Sequence, residues 1–325
     1  MDSKILTDID RIVSRINTHP EYSACARCEE DHALREEAEK HSLEIELINE
    51  GRRLTLRERS SFLSRLNGAY DLLSECGKGL YTISRLGPII EPSHNLSGGF
   101  RNEFVSFGGF QAPAPEKIPY LIRNVLDDLD NSTSHPVVRA ANSHLSLVEI
   151  HPFMDGNGRS ARVLQNFCLQ ERSYPPAVIP TILLRDYIDI MHRALDDRYA
   201  LKSFSHAPSI AEQDFYDFIG HMVFESAMAL ESELLKRRMY FVHLTKIKNP
   251  GAVRVLENSF RDFGRHNNHD GVCVSTNGGR KRRSRVMSLV GNISKGEVEK
   301  IVASVSRGGS FKYDLGIGPY RSCSE

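Results

Sequence analysis

A polar segment between two helical patterns constrains this chain most. His151–Arg162 reads HPFMDGNGRSAR, and seven of these residues are ionisable, amide or glycine residues. The preceding AANSHLSLVEI and the following VLQNFCLQ carry apolar residues at helical spacing. Such a polar segment has no place in an apolar core. It therefore predicts a short loop that two helices hold rigidly, where a functional site can lie.

The residue types in this loop predict a phosphate-binding site. Gly156, Asn157 and Gly158 permit positive φ, so that successive backbone N–H groups can converge on an anion. The following helix begins at about Gly158, and its N-terminus adds unpaired donors and partial positive charge. Arg159 and Arg162 lie three positions apart and therefore close together on the first turn.

Two further side chains suggest the chemistry. Asp155 is an oxygen ligand suited to a Mg²⁺ ion that bridges phosphate oxygens. His151 is the side chain in the loop that can accept a proton near neutral pH. A base, a metal ligand and a phosphate cradle predict attack of a deprotonated hydroxyl on a phosphate.

The segment resembles the signature of the Fic family, His-x-Phe-x-(Asp/Glu)-Gly-Asn-Gly-Arg-x-x-Arg, and matches every fixed position. Family members are helical domains that mostly transfer AMP from ATP to a Ser, Thr or Tyr hydroxyl of a protein. The resemblance implies His151 as the base and Asp155 as the Mg²⁺ ligand. It implies phosphate binding by a further set of residues: Gly156, Asn157, Gly158, Arg159 (β-phosphate) and Arg162 (γ-phosphate). A phosphorylating branch of the family has Lys at the second glycine, so Gly158 favours nucleotidyl transfer.

Two other segments resemble parts of that family. SGGFRNEFVSFGG resembles the hairpin flap that aligns the target segment by strand addition, and its docking residues would be Phe104, Val105 and Ser106. ELINEGRRLTL resembles the inhibitory helix with the motif (Ser/Thr)-x-x-x-Glu-(Gly/Asn). In this interpretation Glu50 pairs with the second motif arginine and holds the enzyme inactive, although Glu46 stands where the pattern has Ser or Thr. The same Glu supports removal of AMP in some relatives.

The expected fold is mainly α: a Fic-type helical bundle with a short β-hairpin flap and a small C-terminal α/β module, for which a winged helix is one option. Apolar periodicity predicts helices over residues 2–18, 29–50, 55–76, 114–131, 214–244 and 294–305. The expected domains are N-terminal helices with the inhibitory segment (1–60), a catalytic domain (61–245) and the C-terminal module (246–325).

Composition limits the cellular setting and the partners. The chain has 42 basic and 42 acidic residues, so that no net charge attracts it to nucleic acid or membrane. Its 325 residues include no apolar run of about 18 residues and no apolar leader, which predicts a cytoplasmic protein with no membrane partner. The expected partner is a protein with a hydroxyl side chain; self-modification and a homodimer are further options.

Several alternatives stay open at this stage. The transferred group could be UMP or phosphocholine, or the His-Asn pair could belong to a metal nuclease. A nucleotide-sensing DNA-binding regulator would use the C-terminal module, with its basic run Arg280–Arg285. Cys25, Cys28 and His32 have metal-ligand spacing, but no second clear pair follows, and the solvated or structural interpretation is favoured.

Overall fold

The computed structural model describes residues 3–18, 24–51, 53–201, 207–234, 238–266, 273–277, 285–291, 293–306 and 310–317. Within these ranges it contains eleven α-helices and six β-strands. The helices are α1 (Ser3–Thr18), α2 (Ala24–Glu50), α3 (Leu56–Cys76), α4 (Leu80–Ile90), α5 (Ile118–Asn131), α6 (Pro136–Ile150), α7 (Asn157–Glu171), α8 (Leu184–Leu201), α9 (Ile210–Leu234), α10 (Pro250–His266) and α11 (Lys295–Ser306). The strands are β1 (Ser106–Phe107), β2 (Phe110–Gln111), β3 (Arg238–Thr245), β4 (Cys273–Asn277), β5 (Arg285–Gly291) and β6 (Lys312–Ile317). The mainly helical class is confirmed, and none of the described helices has the length and apolarity to span a bilayer.

The chain divides into two compact units. The first consists mainly of residues 32–220, and the second of residues 3–31 and 221–325. The functional boundaries that the sequence suggests, after residues 60 and 245, stay predictions.

Two central helices, α6 and α7, form the core of the first unit. Residues 143–150 of α6 and 159–169 of α7 are buried on every side. Helices α3, α4, α5 and α8 pack around them. Arg198 of α8 is buried and donates to Glu149 of α6 at 3.0 Å and to Glu212 of α9 at 2.6 Å, so that one guanidinium ties three helices together. The predicted site loop joins α6 to α7 and therefore lies on the most rigid part of this unit.

The C-terminal part of the second unit is an α/β module, as the sequence predicts. Its elements alternate β3-α10-β4-β5-α11-β6, and the antiparallel sheet has the order β4-β5-β3-β6. Apolar residues of the sheet and of both helices form one core. The winged-helix option is wrong, because all four strands join one sheet that α10 and α11 cover.

The helix predicted over residues 214–244 is also corrected. Helix α9 ends at Leu234, and β3 begins at Arg238. Tyr240, Val242 and Leu244 are buried while the residues between them are half-buried, which is the two-residue period of a strand. The apolar run was read with helical spacing because it continues directly from a helix.

Candidate functional site

The loop between α6 and α7 is bounded by two residues in the left-handed region. His151 closes α6 with φ 49° and ψ 60°, and its backbone N–H donates to the carbonyl of Leu147 at 3.0 Å. Gly156 precedes α7 with φ 84° and ψ 12°. Positive φ is uncommon for a residue other than glycine, so the surrounding packing must hold His151 in place. Five residues, 152–156, thus connect His151 at the end of α6 to Asn157 at the start of α7.

Asn157 and Phe153 fix the shape of this loop. The Asn157 amide accepts from the Phe153 backbone N–H and donates to the Phe153 carbonyl, both at 2.9 Å. The Phe153 ring is fully buried, and a Cβ on Gly87 of α4 would lie 2.3 Å from it. The side chain of Asn157 is therefore committed to the loop, and only its backbone N–H remains for an anion.

His151 is held as a neutral imidazole. Its Nδ1 lies 3.3 Å from the carbonyl oxygen of Val148, and because that oxygen only accepts, Nδ1 carries the proton. Burial lowers the pKa of His151 to about 4, the Val148 hydrogen bond opposes this, and the charge of Arg101 lowers it further. Nε2 is left with a lone pair at neutral pH, which is the form that a general base needs.

The predicted flap contains a hairpin, formed by β1 and β2, and of the three predicted docking residues Ser106 lies in a strand. Ser106 pairs with Gln111 and Phe107 with Phe110, and the glycines at 108 and 109, with φ 51° and 89°, form the turn. Of the predicted docking residues, Phe104 is 69% exposed and precedes β1, Val105 accepts from the Ala112 backbone at 3.1 Å, and Ser106 begins β1. Positive φ at two successive residues suits the tight turn of a two-residue hairpin.

The flap contacts His151 directly through Phe107, a residue that the sequence did not single out. Its ring stacks on the His151 ring with a centroid distance of 3.9 Å and an interplanar angle of 12°. On β2, Phe110 stacks on Tyr199 of α8 at 4.8 Å. Phe107 therefore covers one face of the base.

Arg101 anchors the root of the flap to the site loop. It is 3% exposed, and its guanidinium donates to the carbonyls of His151 at 2.7 Å, Glu103 at 2.6 Å and Pro113 at 2.7 Å. These bonds satisfy backbone acceptors where α6 ends and hold both ends of the flap. An isolated arginine in a loop gave no sequence signal for this role.

Arg162 of α7 is buried and paired with α2. Its Nε donates to the Ser42 hydroxyl at 2.8 Å, and Nη2 donates to the Glu46 carboxylate at 2.7 Å. A Cβ on Gly158 would lie 3.6 Å from Glu46 Oε1, so the carboxylate lies at the N-terminus of α7, where a phosphate is expected.

The acidic residue at this position is Glu46, one helical turn before the predicted Glu50, whose side chain lies outside the described residues. Ser42 and Glu46 are four residues apart and match the Ser-x-x-x-Glu part of the inhibitory motif, with Leu47 where the motif has Gly or Asn. The inhibitory role predicted for Glu50 stays a prediction, and in the described part of the chain Glu46 is the carboxylate that pairs with Arg162. The Ser four residues upstream was the signal that could have identified it.

Arg159 is 1% exposed and binds two carboxylates. Its Nη1 donates to Glu91 at 2.9 Å and its Nη2 to Asp155 at 3.2 Å. Burial raises the pKa of Glu91, but hydrogen bonds from Ser93 and Arg159 and the Arg159 charge outweigh it, so the pKa is lowered and Glu91 is ionised at neutral pH. Glu91, the residue that ends α4, is a further site residue that the sequence did not indicate.

A cavity of about 610 Å³ opens beside these groups. Its lining includes Glu46, Glu91, Asp155 and Arg159 together with Arg57 and Arg65 of α3. This volume lies in the range of small-molecule sites. Of the predicted site residues, Asp155 and Arg159 line this cavity, while Arg162 contacts it through its partner Glu46. The roles of all the predicted site residues stay predictions.

The other metal and nucleic-acid predictions fall outside the described residues. This holds for the side chains of Cys25, Cys28 and His32, and for the basic run except Arg285, which begins β5. Both stay predictions.

Comparison with known proteins agrees with the site geometry. Residues 81–169 match the family model of the Fic/DOC family. Protein adenylyltransferase Fic of Drosophila yakuba is 44% identical over 86 residues, which are 26% of this chain and 17% of that protein. The Drosophila melanogaster protein of the same name is also 44% identical over 86 residues, 18% of its length. The match thus spans less than a fifth of these curated relatives.

Solved structures share the fold. A Fic domain-containing signaling protein from Bacteroides thetaiotaomicron has a TM-score of 0.59 at 20% identity, covering 70% of this chain and 98% of that one. Fic-1 of C. elegans has a TM-score of 0.57 at 19% identity, covering 72% of this chain and 73% of that one. The signature loop, the fold around it and the family match agree, and the chain therefore carries a Fic/DOC domain.

Proposed function

We propose that this chain is a protein adenylyltransferase that moves AMP from ATP to a hydroxyl side chain of a protein and is held inactive by Glu46. The observation that carries the proposal is a neutral His151 at the end of α6, joined by a five-residue loop to α7, which carries the buried Arg159 and Arg162. The Drosophila relatives are named protein adenylyltransferases, which supports the same activity.

His151 would act as the general base. Nδ1 is bonded to the Val148 carbonyl, so Nε2 is the atom that takes the proton from the target hydroxyl. The hydroxyl oxygen then attacks the α-phosphorus, the bond to the bridging oxygen breaks, and pyrophosphate leaves with that electron pair. The His151 imidazolium, whose pKa is low, returns its proton to solvent readily.

The phosphates would lie at the start of α7. The backbone N–H groups of Asn157 and Gly158 at the helix N-terminus favour negative charge there, whereas the Gly156 N–H donates to the Asp155 carboxylate. A Cβ on Gly158 would lie 3.4 Å from Arg162 Nη1, and Arg159 donates to Asp155. Asp155 fits a Mg²⁺ ion, because its Oδ2 is turned away from Arg159 and its side chain is 37% exposed. A bound Mg²⁺ would neutralise charge on the phosphate oxygens.

Glu46 would be the brake. Its carboxylate lies where a phosphate would approach Arg162, and Ser42 fixes the guanidinium from the other side. A polyphosphate would have to displace it against like-charge repulsion. Release of α2 at Ser42 and Glu46 would free Arg162 and open the cradle.

The target protein would dock on the flap. The hairpin is a two-stranded sheet, so each strand has an edge that can accept a further strand. Phe104 is 69% exposed beside β1 and offers an apolar contact. The target hydroxyl would reach His151 when the Phe107 ring moves aside.

The test is transfer of label from [α-³²P]ATP with Mg²⁺ to the chain itself or to lysate proteins. Four forms of the full chain are compared: unaltered, Glu46→Gly, Glu50→Gly, and Glu46→Gly with His151→Ala. Labelling should rise with Glu46→Gly, stay near the unaltered level with Glu50→Gly, and fall ~10²–10⁴-fold when the base is also removed.

Two controls separate the alternatives. Label from [γ-³²P]ATP should not be transferred, which excludes phosphorylation. Activation by Glu50→Gly but not by Glu46→Gly would return the brake to Glu50. The proposal would be overturned if no form of the chain transferred label from ATP, GTP, CTP or UTP.

A further inference from the structure

Three possible metal ligands converge beside the phosphate cradle. His94 Nδ1 lies 3.7 Å from Glu91 Oε1 and 3.6 Å from Asp155 Oδ2. The three ligand atoms all lie within 4.8 Å of one another. Two carboxylate oxygens and one imidazole nitrogen thus face a common point.

Both carboxylates are oriented by Arg159. Glu91 gives Oε2 and Asp155 gives Oδ1 to the two terminal nitrogens of the buried guanidinium. Their second oxygens, Oε1 and Oδ2, are the ones that face His94. Arg159 therefore fixes the direction in which each carboxylate points. The Ser93 hydroxyl donates to Glu91 Oε1 and lies 3.2 Å from His94 Nδ1, so a bound ion would take the place of these two contacts.

A buried amide joins the two segments that carry the three ligands. Asn95 is 4% exposed, and its Nδ2 donates to the carbonyls of Glu91 at 2.8 Å and Asp155 at 3.0 Å. Its Oδ1 accepts from the Met154 backbone N–H at 3.0 Å. The turn with Glu91 and His94 is thereby tied to the loop with Asp155, so that the arrangement exists before any ligand arrives. Outer groups that orient ligands in this way raise metal affinity.

We infer that Glu91, His94 and Asp155 form a binding site for a divalent transition-metal ion that is occupied without nucleotide. Metal–ligand distances of about 2.0–2.2 Å place ligand atoms roughly 3.0–3.6 Å apart, so a small inward movement suffices. His94 is 63% exposed and free to make that movement. The remaining coordination positions would take water or phosphate oxygens.

The imidazole nitrogen decides which ion the site takes. Mg²⁺ prefers an all-oxygen shell and keeps its waters, whereas imidazole favours first-row transition ions. Two carboxylates with one histidine suit Mn²⁺, Fe²⁺ or Zn²⁺, and we expect preference over Mg²⁺. The inference shares Asp155 with the proposed function, but it requires no AMP transfer, because the chain supplies three ligands itself.

The experiment is an EPR titration of the full chain with Mn²⁺ in the absence of nucleotide. One Mn²⁺ per chain should bind, and Mg²⁺ should displace it only in large excess. His94→Ala should weaken Mn²⁺ binding about tenfold or more and remove the preference over Mg²⁺. Leu96→Ala, an 86% exposed residue of the same turn, should leave binding unchanged.

Two results would overturn the inference. One is no specific Mn²⁺ binding without nucleotide, as expected if His94 merely contacts the two carboxylates. The other is equal affinity in His94→Ala and Leu96→Ala. Because His94 is exposed, its substitution should leave the fold intact, which circular dichroism checks. Mn²⁺ binding by a chain that transfers no AMP would support this inference while refuting the proposed function.

Discussion

Removing the Phe107 ring should raise the pKa of the base. The ring covers one face of His151 at a centroid distance of 3.9 Å, and burial is the largest cause of the low pKa of about 4. Phe107→Ala lets water reach that face and thereby stabilises the imidazolium. The charge of Arg101 and the Val148 hydrogen bond stay as they are, so the change in pKa reports burial alone.

The magnitude follows from the total shift. Burial and the charge of Arg101 lower the pKa of His151 from 6.5 to about 4. Exposing one face of the His151 ring should raise its pKa by about one, which corresponds to ~1.4 kcal/mol. Because a base works only when neutral, its activity is lost as pH falls through its pKa. At pH 5 the neutral fraction should drop from about 0.9 to about 0.5.

Two measurements check this expectation. NMR titration of the His151 ring gives its pKa without any assay of activity. In a Glu46→Gly background, the pH at which AMP transfer falls to half on the acidic side should rise by the same amount. Phe104→Ala, which removes a 69% exposed ring of the same flap, is the matched control. An unchanged His151 pKa in Phe107→Ala would refute the argument that the stack shields the base.

Two substitutions test the packing of the site loop by urea unfolding. Gly87→Ala should lower the free energy of unfolding by about 1–3 kcal/mol, because its Cβ would lie 2.3 Å from the Phe153 ring. Gly68→Ala, whose Cβ would lie 3.7 Å from Ile89, should raise it by roughly 0.5–1 kcal/mol. Equal effects of the two substitutions would contradict the close approach of Gly87 to Phe153. Asn157→Asp should destabilise by about 1–3 kcal/mol, because a carboxylate cannot donate to the Phe153 carbonyl; unchanged stability would show that this bond does not hold the loop.

The signature loop could be predicted because its information is local. Glycines, an amide and charged residues between two apolar helical patterns specify a loop, a base and an anion site without knowledge of distant contacts. His151, Asp155, Arg159 and Arg162 all lie within one loop and the first two turns of the next helix. The folded chain only had to preserve that local arrangement.

The partners of these residues could not be predicted in the same way. Glu46 and Glu50 lie one helical turn apart on the same face of α2, and each satisfies half of the inhibitory motif. Glu50 precedes Gly51, whereas Glu46 follows Ser42 by four residues. The packing of α2 decides which carboxylate meets Arg162, and helical periodicity does not specify this choice.

Phe107 and Glu91 were missed for a related reason. Each is an ordinary residue in its own segment, a flap strand and a helix end, and gains a role only through a contact made by the fold. Phe107 lies 44 residues before His151, and Glu91 lies 68 residues before Arg159. Long-range contacts of this kind carry no spacing signal along the chain.

The two motif arginines differ in what a nucleotide must displace. In the proposed mechanism Arg162 would keep its bonds to Ser42 and Tyr187 when Glu46 leaves, so that Glu46 is the carboxylate that a phosphate would have to displace. Both terminal nitrogens of Arg159 are bonded to carboxylates, and among the described residues its Nε has no partner. A phosphate at Arg159 must therefore either displace Glu91 and Asp155 or lie beside their negative charges, which repel it. A divalent ion between these carboxylates removes that repulsion, which makes cation binding and phosphate binding at this end of α7 mutually favourable.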